Sequence, residues 1–153
     1  MNIEYILTLT PKVCEWIEYQ ENNIISIGRD LTFEELDLAR KIGIKNYDMV
    51  RVYESKIVPN PSDIVLRELG KQIGLISPKT SGICFRYGIF INVNATDKKS
   101  VLIHELTHTL QYERFGSIEN FITQYLKECI EVGYDDSDLE KEARNGVNLL
   151  LYY

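Results

Sequence analysis

The chain lacks any apolar run long enough to cross a membrane, and its first ten residues have no basic lead. Glu4 interrupts the stretch that a secretory signal would keep apolar. We therefore expect a cytoplasmic protein with no membrane partner. The 153 residues, 44% hydrophobic and 26% charged, predict a single domain over residues 1–153, without repeats or low-complexity linkers.

Positive charge is also scarce. The 17 Lys and Arg residues are outnumbered by 23 Asp and Glu residues, which gives a net charge of −6. No stretch concentrates Lys or Arg, so the sequence predicts neither a phosphate-binding surface nor a nucleic-acid partner.

Cysteine is limited to Cys14, Cys84 and Cys129, which are widely spaced and form no CxxC pair. An odd number of distant cysteines does not predict a disulfide framework. Buried free thiols are the favoured interpretation, and metal ligation by a cysteine is the alternative.

The apolar pattern predicts a mostly helical α+β domain with a small sheet. Strands are expected at residues 3–9 and 49–53, and one bulged strand or two strands within 83–93. Helices are expected at 10–23, from a capping box at Thr32 to Gly43, after Ser62, at about 99–115, at 117–133 and at 139–150. Residues 1–76 form an N-terminal portion, and residues 77–153 carry the chemistry.

Histidine is the scarcest informative residue, because both histidines of the chain lie in residues 104–108, His-Glu-Leu-Thr-His. On a helix, positions four apart lie about 40° from each other around the axis. Two imidazoles so placed can bind one metal ion, and zinc suits them best. Glu105 follows the first histidine, where it can act on water beside the metal without binding the metal.

A catalytic zinc site needs a third protein ligand, which must here be a carboxylate or a thiolate. The best candidate is Glu140, near the start of a predicted helix, with the small Ala143 allowing close packing. The alternative is structural, because Ser137-x-x-Glu140 is also a capping-box pattern.

Residues 101–112 resemble the active-site helix of zincin metallopeptidases, and in particular bacterial peptidase-like domains with the pattern HELxHxxQ. Residues 124–128, 133–134 and 139–143 look like later parts of the same domains, and residues 87–91 look like the edge strand beside their cleft. The resemblance covers residues 77–145 and is weaker from Leu31 onward. It implies that Glu140 is the third ligand.

The chain departs from these domains in one respect. They usually place an aspartate after the alanine, where it orients a histidine ligand, but this chain has Arg144. Either another residue, such as Asn145 or Asn94, then orients the histidine, or the metal site is weakened. Alternatively, Arg144 binds a substrate carboxylate or the oxyanion.

The resemblance implies hydrolysis of peptide bonds in a peptide or protein substrate, with Zn²⁺ as cofactor and Glu105 as general base. No spare histidine is available for the oxyanion, so Arg144, Tyr134 or Tyr125 would have to serve. For Tyr125 we favour simple packing in an apolar stripe. The strand near residues 89–92 is expected to offer an unpaired edge to an extended peptide.

Two alternatives belong to other classes of protein. The chain could be a non-catalytic zinc-binding domain, either structural or part of a secretion or toxin system, that keeps the peptidase scaffold. It could also be a helical domain whose histidines bind nothing.

Overall fold

The computed structural model describes residues 2–152, in which seven α-helices surround one four-stranded sheet. The helices are α1 (Ile3–Thr8), α2 (Thr10–Ile27), α3 (Phe33–Ile42), α4 (Ile64–Gln72), α5 (Lys98–Phe115), α6 (Ile118–Glu131) and α7 (Asp138–Leu150). The strands are β1 (Arg29–Asp30), β2 (Arg51–Ser55), β3 (Gly82–Phe85) and β4 (Gly88–Asn92), with a short 3-10 helix at Tyr47–Met49. This architecture confirms the predicted α+β class. Met1 and Tyr153 lie outside the described residues.

The sheet has the order β1-β2-β4-β3, with β2 and β4 parallel and the other neighbours antiparallel. β4 is therefore an inner strand, and all five of its residues are buried. The prediction that residues 89–92 present an unpaired edge is wrong, because β2 and β3 occupy both sides of this strand. The outer strand beside the site is β3.

Successive side chains of β4 point to opposite faces of the sheet, and each face has its own core. Phe90 packs on one face with apolar residues of α1, α2 and α6. Ile89 and Ile91 pack on the other with residues of α3 and α5. The sheet thus connects the N-terminal helices to the helix that carries the histidines.

Residues 3–8 form α1, with Leu9 as its C-cap, so the strand predicted at residues 3–9 is wrong. The side chain of Asn2 caps α1 by accepting hydrogen bonds from the backbone N–H groups of Glu4 and Tyr5. Ile6 and Leu9 are buried against the main core. A short apolar run does not distinguish a strand from a buried helix, and here the cap and the burial favour the helix.

α2 begins at Thr10 as predicted but does not end at residues 22–23. It continues to Ile27, because Ile24 is buried on the same face as Ile17, and this burial outweighs the weak helix propensity of two asparagines. Ser62 is likewise not the cap of α4. The Asp63 carboxylate caps that helix by accepting from two backbone N–H groups.

The predicted ends of the other helices agree well with the structure. Thr32 and Glu35 form both halves of the capping box on α3, and Gly43 ends that helix with φ of 107°. Gly116 and Ser117 separate α5 from α6. Within residues 2–152, no helix combines the length and the apolar character that a membrane crossing would require.

α5 and α7 pack closely against each other, and small residues on α7 allow this approach. Ala143 is fully buried at the contact. A Cβ atom added at Gly146 would come within 2.8 Å of the Thr107 hydroxyl oxygen. This packing brings the first turn of α7 next to the histidines of α5.

Candidate metal centre

The two histidines lie on one face of α5, with ring centroids 5.0 Å apart. The helix begins at the Asp97 cap, where the side chain accepts from the Ser100 N–H, and it continues without a break to Phe115. His108 is buried, whereas the His104 side chain is 19% exposed. The four-residue spacing of the histidines therefore places both on one face of a helix, as predicted.

Glu140, on α7, contacts both imidazoles of α5. Its Oε1 atom lies 2.9 Å from Nε2 of His104, and its Oε2 atom lies 3.0 Å from Nε2 of His108. The Glu140 carboxylate is only 1% exposed. The three side chains offer ligand atoms that all lie within 4.8 Å of one another, which is close enough for one metal ion to bind them together.

Only one of the two hydrogen bonds of a capping box is present at Ser137 and Glu140. The Ser137 hydroxyl accepts a hydrogen bond from the Glu140 N–H, as an N-cap does. The carboxylate does not return to the Ser137 backbone but turns to the histidines. Ser137 therefore starts the helix, and the Glu140 side chain is left for the cluster.

The donor set fits a zinc ion. Zinc binds imidazole nitrogen and carboxylate oxygen at about 2.0–2.2 Å, which places ligands of one tetrahedral ion about 3.3 Å apart. The Glu140 carboxylate oxygens lie 2.9 and 3.0 Å from Nε2 of His104 and of His108. These distances would need to lengthen only slightly for one zinc ion to bind all three side chains.

His108 and Glu140 also form a buried ion pair when the imidazole is protonated. Burial lowers the pKa of His108, but the hydrogen bond and the charge of Glu140 outweigh this effect and raise the value to about 9. A metal ion that binds Nε2 of His108 must therefore displace a firmly held proton, so we expect metal binding to release protons.

His108 is oriented by Gln111 rather than by an aspartate. The Gln111 side-chain oxygen lies 2.7 Å from His108 Nδ1, and the amide nitrogen donates to the Leu139 carbonyl and the Glu142 carboxylate. An amide oxygen only accepts, so Nδ1 carries the proton and Nε2 faces the cluster. Arg114 holds Glu142 through two hydrogen bonds of 3.0 and 2.9 Å.

Tyr125 does more than pack. It is buried in the apolar stripe of α6, as predicted, but its hydroxyl also donates to Oε2 of Glu140 over 2.7 Å. Packing alone, the interpretation that the sequence favoured, is therefore incomplete. The one sequence signal was a tyrosine where phenylalanine would fill the stripe equally well.

Glu128 fixes the start of α7 and was not found by sequence reasoning. Its Oε1 atom accepts from the Ser137 hydroxyl at 2.8 Å and from the Leu139 N–H at 3.1 Å. Gln124 donates to the other oxygen. Burial works against its ionisation, but these hydrogen bonds hold the pKa of Glu128 below its usual value. No local pattern marked its contacts to Ser137 and Leu139, because these two partners lie across a loop.

Glu105 is buried beside the cluster and faces the cleft. Its side chain borders both parts of the cleft. Burial raises the pKa of Glu105, the charge of Glu140 adds to this, and the histidines oppose it. A carboxyl with a raised pKa is a better proton acceptor when ionised.

Gly82 lets β3 approach Glu105 closely. A Cβ atom added there would lie 2.7 Å from Cγ1 of Val101 and 3.1 Å from Cγ of Glu105. The outer strand is therefore placed directly against the helix that carries the metal ligands, and only glycine permits this spacing.

The other predicted site residues lie at different distances from the cluster. Tyr134 is half-buried and borders the cleft, and its pKa is raised by burial and by the charges of Glu140 and Glu105. The Arg144 guanidinium donates to the Asp135 carbonyl, which holds it at the loop before α7. Asn145 and Asn94 are exposed, and Gln111 makes the contact to His108 that was proposed for them.

The cleft has two parts that meet at the cluster. One part is a small apolar pocket between α2, β3 and α6, with a volume of about 80 Å³. The other is an open groove of about 440 Å³, bordered by residues 74–82 and the first half of α5. His104 and Glu105 border both.

The three cysteines are free, as predicted, but only Cys129 is buried, and Cys14 and Cys84 are partly buried. None belongs to the cluster, whose members among residues 2–152 are two histidines and one glutamate.

Comparison with models of known protein families, with curated proteins and with solved structures gives no match.

Proposed function

We propose that this chain is a zinc-dependent metallopeptidase in which His104, His108 and Glu140 hold the metal. The observation that carries the proposal is the convergence of these three side chains beside the buried carboxylate of Glu105. The likeness of residues 101–112 to zincins supports the same chemistry.

Two nitrogen donors and one oxygen donor form a set that zinc favours over magnesium or calcium, which prefer all-oxygen sites. A structural zinc site is normally completed by four protein ligands. Here the cluster among the described residues has three, which would leave a bound zinc ion free to take water or substrate as well. That count favours a catalytic site over the non-catalytic zinc domain, which is the second candidate.

A zinc ion in this site would supply a Lewis acid and lower the pKa of its water to about 7. Glu105 takes the proton of a water in the cleft, whose oxygen joins the scissile carbonyl carbon, and passes the proton to the departing amine. Tyr134, at the border of the cleft, donates a hydrogen bond from its hydroxyl to the carbonyl oxygen as negative charge develops there.

The test is cleavage of a defined peptide mixture, such as a tryptic digest of a denatured protein, by zinc-loaded protein, read by mass spectrometry. New fragments should appear with the native chain and disappear when a chelator removes zinc. Glu105→Gln should retain zinc but lose cleavage by about 100-fold or more. Glu131→Gln, which changes an exposed glutamate on α6, is the matched control and should cleave normally.

Cleavage that survives Glu105→Gln would contradict the role of Glu105. Zinc binding without cleavage of any peptide in the mixture would favour the non-catalytic zinc domain.

A further inference from the structure

The helix α6 restrains the third side chain of the cluster at two points. Tyr125 donates from its hydroxyl to the Glu140 carboxylate over 2.7 Å. Glu128 follows three residues later, on the same face of α6, and contacts the chain where α7 begins. The side chain of Glu140 and the backbone that carries it are therefore both held from one helix.

The restraint on the backbone passes through a single hydroxyl group. The Glu140 N–H donates to Oγ of Ser137 over 3.3 Å, and the Ser137 hydroxyl donates to Oε1 of Glu128 over 2.8 Å. A hydroxyl has one proton, so donating it to Glu128 leaves the lone pairs for the Glu140 N–H. Ser137 is fully buried, so solvent does not compete for this hydroxyl. Glu128 therefore sets the direction in which the cap of α7 points.

Glu128 is itself held in place on both oxygens. Its Oε1 atom also accepts from the Leu139 N–H at 3.1 Å, and its Oε2 atom accepts from the Gln124 side-chain amide at 2.8 Å. The N–H groups at the start of a helix carry partial positive charge, which an ionised carboxylate complements. Both oxygens of Glu128 are thus occupied by donors of the chain, so this glutamate acts through its neighbours.

The position of Glu140 in α7 explains why such an anchor matters. Glu140 is the third residue of the helix and lies in its first turn, and the ends of helices fray. Its carboxylate is nevertheless 1% exposed and contacts both histidines. A ligand placed in the first turn keeps one orientation only if that turn is held closed.

We propose that Glu128 is a positioning residue of the metal centre, which holds the first turn of α7 closed so that Glu140 presents its carboxylate to the metal in one orientation. This inference rests on the proposed function and assigns part of the zinc affinity to a residue that does not bind the metal.

The test compares metal binding by the native chain and by variants of Glu128. Zinc affinity is measured by competition with a chromogenic chelator, and ligand geometry by the visible absorption of the Co²⁺-loaded protein. Glu128→Ala should bind zinc about 10-fold more weakly, as other changes to groups that orient metal ligands do. Its Co²⁺ bands should also differ from those of the native chain, because Glu140 is no longer fixed.

The conservative variant Glu128→Gln should rescue binding. Its amide oxygen can still accept from Ser137 and Leu139, and Gln124 can turn its own amide to accept from the new NH₂ group. We expect zinc affinity within about 3-fold of the native value, because the geometry of the α7 cap is kept.

Asp63→Ala is the matched control for the loss of a helix cap. The Asp63 carboxylate also accepts from two backbone N–H groups at a helix start, but the helix is α4. This variant should lose stability in urea melts and keep the native zinc affinity and Co²⁺ bands. Where Glu128→Ala does not fold, Ser137→Ala, which removes only the hydroxyl, should show the same loss of zinc affinity.

Native zinc affinity and native Co²⁺ bands in folded Glu128→Ala, or in Ser137→Ala, would overturn this proposal and leave the proposed zinc site intact. An equal loss of zinc affinity in Asp63→Ala would also overturn it, because the effect would then be general loosening. A native chain that binds no zinc would overturn the proposed function as well.

Discussion

The Tyr125 hydroxyl and the His108 imidazole both contact the same oxygen of Glu140, at 2.7 and 3.0 Å. One carboxylate thus connects α5, α6 and α7 in the interior of the protein. Glu140 is fixed by neighbours on two other helices, so the orientation of this ligand depends on packing as much as on the histidines. Burial opposes ionisation of Glu140, but the histidines and Tyr125 hold its pKa well below the usual value.

Removing the hydroxyl of Tyr125 should weaken zinc binding without unfolding the protein. Tyr125→Phe keeps the ring in the α6 stripe but loses the hydrogen bond that orients Glu140. We expect zinc affinity to fall about 10-fold, the lower end of the range for groups that orient metal ligands. A competition titration with a chromogenic chelator measures this.

Tyr112→Phe is the matched control for that change. Tyr112 is also buried, but its hydroxyl bonds to the Cys84 carbonyl rather than to Glu140. If both variants lost zinc affinity equally, the effect would reflect general loosening and not the contact to Glu140.

Gln111 should contribute more to zinc affinity than Tyr125, because it orients His108 and also joins α5 to α7. Gln111→Ala removes the acceptor for Nδ1 of His108 and the donor to the Leu139 carbonyl. A 10–100-fold loss of zinc affinity is expected. Gln72→Ala, on an exposed position of α4, should have no effect. Unchanged zinc affinity in Gln111→Ala would show that His108 needs no such partner.

A methyl group at position 82 should destabilise the protein, because β3 and α5 have no room for it. The added Cβ would overlap Val101 and press on Glu105. We expect Gly82→Ala to lower the free energy of unfolding by about 1–3 kcal/mol, as overpacking typically does. Urea denaturation measures the change, with Ser81→Ala at the exposed neighbouring position as control. A Gly82→Ala protein as stable as the native chain would contradict the tight fit.

Glu113 should make stability depend on pH on the acid side. Burial raises its pKa, but hydrogen bonds from the Lys45 and Asn46 N–H groups and from Tyr87 outweigh this and lower it. A lowered pKa in the folded state means that Glu113 stabilises the protein above the unfolded value of about 4.3. That contribution is lost as the pH falls through the lower, folded value.

Glu113→Gln therefore should lower the urea midpoint at pH 7, and the difference from the native chain should shrink towards pH 3. Urea melts at several pH values measure both. A difference that stays constant across this range would mean that the Glu113 charge contributes nothing.

Sequence reasoning located the parts of the site that follow from local spacing. The separation of His104 and His108 predicts one helix face, and the resemblance selects Glu140 among many glutamates. Gln111 lies three residues after His108, so helical spacing could have indicated their contact. We instead expected a partner near Arg144, such as Asn145, because zincin-like domains usually place an aspartate after the alanine.

Contacts across distant elements could not be predicted in this way. The bond from Tyr125 to Glu140 depends on how α6 packs on α7, and Glu128 acts across a loop. The strand order could not be predicted for a similar reason. β2 is distant from β4 in the sequence but pairs with it in the sheet, so β3 is the outer strand. The N-terminal helix was missed because six apolar and polar residues fit either a strand or a short helix.

We propose above all that His104, His108 and Glu140 together hold one zinc ion. The most direct test is a titration of the metal-free protein with zinc, with bound metal read by elemental analysis after desalting. The native chain should retain about one zinc per chain, and Glu140→Ala should lose most of that affinity while staying folded. A native chain that retains no zinc, or a Glu140→Ala chain that binds it as tightly as before, would contradict this three-residue zinc site.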